Sequence, residues 1–297
     1  MQNNRFILFF AIVTLSFMCF PQTSNLQKQI TDLINTKDAT IGIGIYNFDT
    51  NETLIINGQH HYPMQSVFKF HLALAVLKEV DEGNLSLDQK IHIIKVDLLP
   101  DTWSPLRDKY LNGNIDLQLR DILYYTVSRS DNNGCDILFK LLGGPETVNK
   151  YIHSLGINDI SIKATEAEMH KAWEVQYGNW TTPLAAVKLL AKFYNGKILS
   201  ESSFNFLWKL MSESTIGKDR IKDKLPDGTN VAHKTGLSAT DEEGITAATN
   251  DIGIVTLPNG KHYAIAVFVS DSKENEKVNA GIISGISKIA WDYFNKN

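Results

Sequence analysis

Strand patterns lie at both ends of this chain, and helical patterns fill its middle. Near the start, residues 41–57 alternate apolar with small or polar residues around Asn51, which predicts a hairpin. Residues 230–257 hold two more strand patterns, and residues 262–270 hold a third after the turn-forming segment 258–260. Strands from the two ends are expected to pair in one antiparallel sheet. The fold must therefore bring the ends of the chain together.

Helical periodicity dominates residues 66–213, where glycine and proline at 143–145 and at Pro183 separate the helices. A last helix, near 275–294, has an apolar face that could cover the sheet. We therefore expect an α+β fold with a helical domain inserted into an α/β domain, and a small-molecule site in the cleft between them. The predicted divisions are a signal peptide at 1–23, an α/β domain at 24–65 and 214–297, and a helical domain at 66–213.

The first residues have the pattern of a secretory signal peptide. Arg5 precedes a mostly apolar stretch, residues 6–20, which polar residues follow. The stretch is shorter than the roughly 20 residues of a membrane span. The bulky residues before Cys19 argue against lipid attachment there. Export would leave Cys135 alone in the mature chain, which excludes an intramolecular disulfide.

Charge and histidine spacing exclude two classes of function. The formal net charge is −4 at pH 7, without the basic stripe that nucleic-acid binding needs. The eight histidines are scattered, and none has the spacing of a metal-binding motif. We expect no metal, no cofactor and no nucleic-acid partner, and a monomer that acts on a small molecule.

One serine–lysine pair opens an apolar helical run. Ser66 and Lys69 are three residues apart, so their side chains share one helix face. A neighbouring amine can take the proton of a serine hydroxyl and so make it a nucleophile. The pattern alone is weak, because Ser270 and Lys273 share it in a charged loop.

Two further motifs follow in order. Ser130 and Asn132 belong to an S-D-N segment between two helices, and a helix cap is its alternative interpretation. Lys234 and Thr235 begin a K-T-G motif on a predicted strand, where an edge strand with an exposed lysine is the alternative. Together, the three motifs resemble those of class A serine β-lactamases and penicillin-binding proteins.

The resemblance extends over roughly residue 24 to the C-terminus. Glu166 opens a segment similar to the Ω-loop motif whose glutamate activates the deacylating water in class A enzymes. Trp103 falls where the family has an aromatic wall against the substrate. This family has the α+β fold expected above. The resemblance implies a β-lactam hydrolase that confers β-lactam resistance.

Several positions depart from the common family pattern. His170 stands where most members have Asn, which implies a different placement of the water. Ala164 and Asn179 replace an Arg–Asp ion pair, which implies a looser or refolded Ω loop that admits bulky side chains. Glu243 replaces a carboxylate-binding arginine, and Arg220 is its natural substitute. Arg220 and Ser238 resemble the extended-spectrum subgroup of PER- and VEB-type enzymes, whereas Leu237 does not.

The resemblance also implies a role for each site residue. Ser66 is the nucleophile, Lys69 or Glu166 takes its proton, Ser130 relays a proton to the leaving nitrogen, and Glu166 activates water. The residues implied in substrate binding are Trp103, Asn132, His170, Arg220, Lys234, Thr235, Gly236, Leu237 and Ser238. The backbone N–H groups of Ser66 and Leu237 would form the oxyanion hole.

Two other functions remain open at the sequence level. A penicillin-binding D-alanyl-D-alanine peptidase or transpeptidase would use the same three motifs without needing Glu166. A β-lactam sensor would be acylated without turnover, and it would need a membrane tether and a transducing segment. The Glu166 motif and the lack of a recognisable tether favour hydrolysis.

Overall fold

The computed structural model describes residues 21–196 and 198–296. The strands are β1 Thr40–Asn47, β2 Thr53–Ile56, β3 Tyr62–Pro63, β4 Lys90–Ile93, β5 Ile115–Gln118, β6 Ile160–Ser161, β7 Trp180–Thr181, β8 Val231–Leu237, β9 Thr246–Thr256 and β10 His262–Ser272. The helices are α1 Pro21–Ile34, α2 Phe68–Asp81, α3 Pro105–Lys109, α4 Leu119–Ser128, α5 Asn132–Leu142, α6 Pro145–Ser154, α7 Glu166–Met169, α8 Pro183–Tyr194, α9 Glu201–Ser212 and α10 Glu276–Lys296.

Both ends of the chain contribute to one five-stranded sheet, as the sequence predicted. Its strand order is β2-β1-β10-β9-β8, and every neighbouring pair is antiparallel. The predicted N-terminal hairpin is β1–β2, and the three predicted C-terminal strands are β8, β9 and β10. Strand β8 lies at one edge of the sheet, so its outer side is available to form the wall of a cleft.

The alternation of isoleucine and glycine in β1 explains how the sheet is packed on its two faces. Ile43 and Ile45 point into the apolar cluster between the sheet and helices α1 and α10. Gly44 points to the other face, where an added Cβ would lie 2.5 Å from the carbonyl oxygen of Pro183. Helix α8 can therefore lie directly on β1 and β10.

Helix α2 is the centre of the helical part of the molecule. All its residues from Phe68 to Leu77 are buried, including Lys69 and His71. A helix that is apolar on nearly every face is stable only when other elements surround it. Helices α4, α5, α6 and α9 pack around it, so the start of α2 is held firmly against the sheet.

The predicted signal peptide of residues 1–23 lies outside the described residues, except for its last three, which begin α1. Within residues 21–196 and 198–296, none of the helices is both long and apolar enough to cross a membrane.

Candidate active site

Ser66 lies in a single 3-10 turn, Gln65–Val67, that leads directly into α2. The turn packs against β8 at Gly236, where an added Cβ would lie 2.3 Å from the carbonyl oxygen of Met64. Only glycine permits this close approach of two backbones. The contact places the predicted nucleophile beside the edge strand of the sheet.

Lys69 is fully buried, and its ammonium group contacts all the groups that surround the serine. Its Nζ donates to Ser66 Oγ at 2.8 Å, to the backbone oxygen of Ser130 at 2.9 Å and to Asn132 Oδ1 at 2.5 Å. The same Nζ lies 2.8 Å from Glu166 Oε1. A buried charge is tolerated when an opposite charge and hydrogen bonds compensate it. Residues predicted from three separate motifs therefore meet at one amine.

Ser130 and Lys234 form the second contact between motifs. Ser130 has a left-handed backbone with φ of 55°, between α4 and α5. Lys234 Nζ donates to Ser130 Oγ at 2.9 Å. Burial lowers the pKa of Lys234 well below its ordinary value, and the nearby charge of Lys69 adds to this effect. Such a lysine is suited to share a proton with the serine hydroxyl.

The middle residue of S-D-N performs the capping role that the sequence left open. Asp131 accepts a hydrogen bond from the backbone N–H of Gly134 at 2.8 Å, which caps α5. It also accepts from Ser104 Oγ and from the N–H of Leu106. Asp131 thereby ties the segment that carries Trp103 to α5. Trp103 itself is 56% exposed and donates from its ring nitrogen to the Arg129 carbonyl.

Glu166 is the first residue of α7, which Thr165 and Glu168 cap reciprocally. Its Oε1 lies 3.5 Å from Ser66 Oγ, although the two residues are 100 positions apart in the chain. His170 follows at the end of α7 and is exposed at the cleft. The Glu166 carboxylate is therefore close enough to the Ser66 oxygen for one water molecule to contact both groups.

The segment from residue 164 to residue 179, called the Ω segment here, lacks the usual ion pair at its ends, and the Asn179 side-chain amide joins them instead. Asn179 is buried, and its Oδ1 accepts from the N–H groups of Lys163 and Ala164 at 2.7 and 2.9 Å. Its Nδ2 donates to the Ala164 carbonyl at 2.8 Å. The ion pair is absent, as the sequence implied, but these bonds close the neck of the segment. The loop is therefore anchored at its neck and not simply loosened.

Strand β8 and Arg220 form the wall opposite Glu166. Thr235 is buried, and Leu237 is 44% exposed at the end of the strand. Ser238 continues the pairing, since its N–H donates to the Ala248 carbonyl. Arg220 is buried and donates from one guanidinium nitrogen to the carbonyl oxygens of Gly236 and Asn250 at 2.9 and 2.8 Å. Arg220 therefore lines the space between β8 and Glu166, and the buried Lys69 and Lys234 lie behind its wall.

That space is a cleft of about 630 Å³. All the predicted site residues except the two buried lysines line it. The other residues that line it, which the sequence analysis did not single out, are Gln65, Met169, Ala172, Trp173, Gln176, Ile216 and Ala239. A cleft of this size fits a drug-sized molecule. Across residues 21–196 and 198–296, no group of three or more His, Cys, Asp or Glu side chains is arranged to hold a metal ion.

Comparison with known proteins identifies the family. The model of the beta-lactamase enzyme family matches residues 25–294. The chain belongs to the beta-lactamase enzyme family. It is 52% identical over 289 residues to the beta-lactamase VEB-1 of Pseudomonas aeruginosa, and the alignment covers 97% of this chain and 95% of that protein. It is 43% identical over 278 residues to the extended-spectrum beta-lactamase PER-1 of the same organism, covering 94% and 90%.

Solved beta-lactamase structures have the same fold. The crystal structure of the TLA-1 extended-spectrum beta-lactamase superposes with a TM-score of 0.91 at 57% identity, over 92% of this chain and 99% of that chain. The predicted fold is therefore confirmed, and the family resemblance based on five short motifs extends over nearly the whole chain.

One residue that the sequence analysis missed lies directly behind the Ω segment of this beta-lactamase. Asp136 on α5 accepts from the backbone N–H groups of Glu166 and Ala167 at 2.8 and 2.9 Å. Burial is the main reason why its pKa rises to about 6. Its position one helical turn after Asn132 is the signal that could have revealed it, because both side chains lie on one face of α5.

Proposed function

We propose that this protein hydrolyses the β-lactam ring of penicillins and cephalosporins through an acyl-enzyme on Ser66, and so confers resistance to these antibiotics. The observation that carries the proposal is the position of Lys69 Nζ, 2.8 Å from both Ser66 Oγ and Glu166 Oε1. One buried amine thus connects the nucleophile to the carboxylate that a hydrolase needs. The membership of the chain in the beta-lactamase family supports the same reaction.

In the acylation step, Ser66 Oγ attacks the lactam carbonyl carbon as its proton passes to Lys69 in its neutral amine form, or through a water to Glu166. The carbonyl oxygen becomes an oxyanion that the N–H groups of Ser66 and Leu237 bind, and one such donor typically contributes about 10²–10³ in rate. When the C–N bond breaks, the Ser130 hydroxyl gives its proton to the nitrogen, and Ser130 takes up the proton that was removed from Ser66. Lys234, 2.9 Å from Ser130 Oγ, supports that transfer.

Substrate recognition follows from the charges around the cleft. The β-lactam carboxylate would bind Lys234, Thr235 and Arg220 by charge-assisted hydrogen bonds. The acylamide side chain would bind Asn132 and the β8 edge, which Gly236, Leu237 and Ser238 form. Trp103 would pack against the apolar part of the substrate.

In the deacylation step, Glu166 takes a proton from a water molecule, and that water attacks the ester carbonyl of the acyl-enzyme. The ester C–O bond then breaks and Glu166 gives its proton to Ser66 Oγ. His170, beside Glu166 at the cleft, would help to place this water. The enzyme would return to its starting state without any cofactor.

We propose an extended substrate range that includes oxyimino-cephalosporins. A cleft of about 630 Å³ leaves room for bulky side chains. The names of PER-1 and TLA-1 describe those proteins as extended-spectrum enzymes. Strong hydrolysis of benzylpenicillin with none of an oxyimino-cephalosporin would contradict this range.

We further propose that the protein is exported after cleavage near residue 23 and acts as a monomer. The pattern of Arg5 followed by an apolar stretch supports export.

We also propose that the mature chain has two domains, a helical domain at residues 66–213 and an α/β domain formed by residues 24–65 and 214–297. The segments on both sides of these boundaries line one cleft.

The test uses the chain from Ser24 onward with an excess of a chromogenic cephalosporin, followed by intact mass after quenching. We expect many turnovers per enzyme and an acyl adduct that is small or transient. A single stoichiometric burst with a lasting adduct would instead indicate a penicillin-binding protein or a sensor. No reaction and no adduct would reject both assignments.

A further inference from the structure

A fully buried carboxylate lies behind the edge strand of the cleft. Asp251 on β9 is completely inaccessible to solvent, and so is His233, which lies on the adjacent strand β8. His233 Nδ1 lies 3.0 and 2.9 Å from the two carboxylate oxygens. A carboxylate can only accept, so this ring nitrogen carries the proton. Neither residue touches the cleft itself.

Asp251 also holds the segment that carries Arg220. The backbone N–H of Ile221 donates to Asp251 Oδ2 at 3.2 Å. Arg220 in turn donates to the carbonyl oxygen of Asn250, the neighbour of Asp251 on β9. Two neighbouring residues of β9 therefore hold Arg220, Asn250 through the guanidinium group and Asp251 through the backbone of the next residue. Such contacts determine the orientation of the guanidinium group.

The surroundings of Asp251 are strongly cationic. Burial lowers the pKa values of Arg220, Lys222 and Lys234, and the charge of Asp251 acts in the opposite direction on all three. Lys234 also faces Lys69, which lowers its pKa further, and Glu166, which raises it.

Two other acids near Arg220 are less effective. Asp219 and Glu276 also favour its charged form, but both are exposed, where water and salt screen a charge. Asp251 is the fully buried acid among the three, and an interaction through the protein interior is screened far less.

We propose that Asp251, oriented by His233, is a positioning residue that keeps Lys234 charged and Arg220 aligned for the carboxylate of the substrate. This inference rests on the proposed function, because the carboxylate belongs to the proposed β-lactam. Asp251 acts through the two cations and does not touch the substrate. It therefore determines how strongly the site prefers an anionic substrate over a neutral one.

The test compares one chromogenic cephalosporin as its free acid and as its methyl ester, on the parent and on Asp251→Asn. Asparagine keeps an acceptor for Ile221 but removes the charge. We expect the acid-to-ester ratio of kcat/KM to fall about tenfold on the alkaline limb of the parent's profile, because loss of the Asp251 charge lowers the pKa of Lys234 further. The alkaline limb of kcat/KM for the acid should move to lower pH. The ratio is measured on one preparation, so partial unfolding of the variant cancels.

Asp81→Asn is the matched control. This substitution also removes one carboxylate that accepts hydrogen bonds, here from Ser200 and Ser203, and its charge is not among those that shift the pKa values of Arg220, Lys222 and Lys234. Its ratio and its alkaline limb should equal those of the parent. His233→Asn should lower the ratio less than Asp251→Asn, because the carboxylate remains.

A wrong proposed function and a wrong role for Asp251 would give different results. If the parent hydrolyses neither compound, the proposed function is wrong. If the parent turns over both compounds and Asp251→Asn has an unchanged or higher ratio with an unmoved alkaline limb, Asp251 has no positioning role. A drop of equal size for acid and ester would show a general structural effect and would also overturn the proposal.

Discussion

At the residue scale, the site is a set of short contacts between groups that are far apart in the chain. Lys69 and Lys234 are both buried, and each donates to a serine, Ser66 and Ser130 respectively. In the proposed mechanism, the Lys69–Ser66 pair is on the attacking side and the Lys234–Ser130 pair is on the leaving-group side. Glu166 contacts only the attacking side. This asymmetry suits an enzyme that both forms and hydrolyses an ester.

Replacement of Glu166 by alanine should separate the two halves of the reaction. We expect acylation of Ser66 to remain detectable while turnover falls about 10²–10⁴-fold, the usual contribution of a general base. Intact mass after mixing with benzylpenicillin should show a stable adduct of one substrate per chain. Rapid turnover in Glu166→Ala would contradict the assignment.

Glu168→Gln serves as the control for that experiment. Glu168 lies two residues further along α7, and its side chain accepts a hydrogen bond from the N–H of Thr165. Because it is exposed, its substitution should leave the acyl-enzyme transient and turnover within about twofold of the parent.

At the element scale, the Ω segment is attached at two points. Asn179 closes its neck, and Asp136 binds the first two N–H groups of α7 from the side of α5. A helix N-terminus with a carboxylate against it is favourable for charge and for hydrogen bonding. Helix α5 thus carries Asn132, the proposed substrate ligand, and through Asp136 it positions Glu166, the proposed general base.

This attachment predicts a pH dependence. Asp136 is protonated as the pH falls through about 6, and a neutral carboxylic acid accepts the two N–H bonds more weakly than a carboxylate does. We expect kcat for deacylation to fall in that range. The raised pKa contributes stability that is complete below the ordinary value of 3.8 and is lost as the pH rises through about 6. The loss of activity at low pH would therefore not come from unfolding at this group.

Asp136→Asn tests the attachment directly. Its amide offers one acceptor and one donor, so we expect about a tenfold lower kcat at pH 7, consistent with one lost hydrogen bond to a buried N–H. The part of the pH profile near 6 should disappear. An unchanged kcat and an unchanged profile would show that Asp136 does not position Glu166.

At the scale of the whole molecule, two apolar clusters hold the sheet from opposite faces. The cluster under the cleft includes α2, and the other lies between the sheet and the terminal helices α1 and α10. The terminal helices therefore stabilise the sheet on which the site is built, although neither helix lines the cleft.

Ile30→Ala in α1 should lower stability without altering chemistry. Ile30 is fully buried, and truncation of such a side chain costs about 2–5 kcal/mol. Denaturant unfolding should show this loss, while KM and kcat at 25 °C stay within about twofold. Lys28→Ala, two residues away on the exposed face of α1, should change stability by less than about 1 kcal/mol. Equal effects of the two substitutions would contradict the packing of α1.

The sequence predicted the long elements better than the short ones. The β1–β2 hairpin, the strands β8 to β10 and the last helix have periodic patterns over many residues, and all were predicted. Strands β3, β6 and β7 have two residues each, which is too short for any period. Their pairing depends on contacts between distant segments and not on local propensity.

The sequence by itself determined the family and the identities and order of the motif residues, because these are local patterns that no packing is needed to reveal. Only the tertiary structure decided which other groups support them: Asp136 behind Glu166, Asn179 at the neck, and Asp251 behind Arg220. The reason is physical. A hydrogen bond is made or lost within less than 1 Å. The packing of helices and strands sets that distance for residues that are 15 to 30 positions apart.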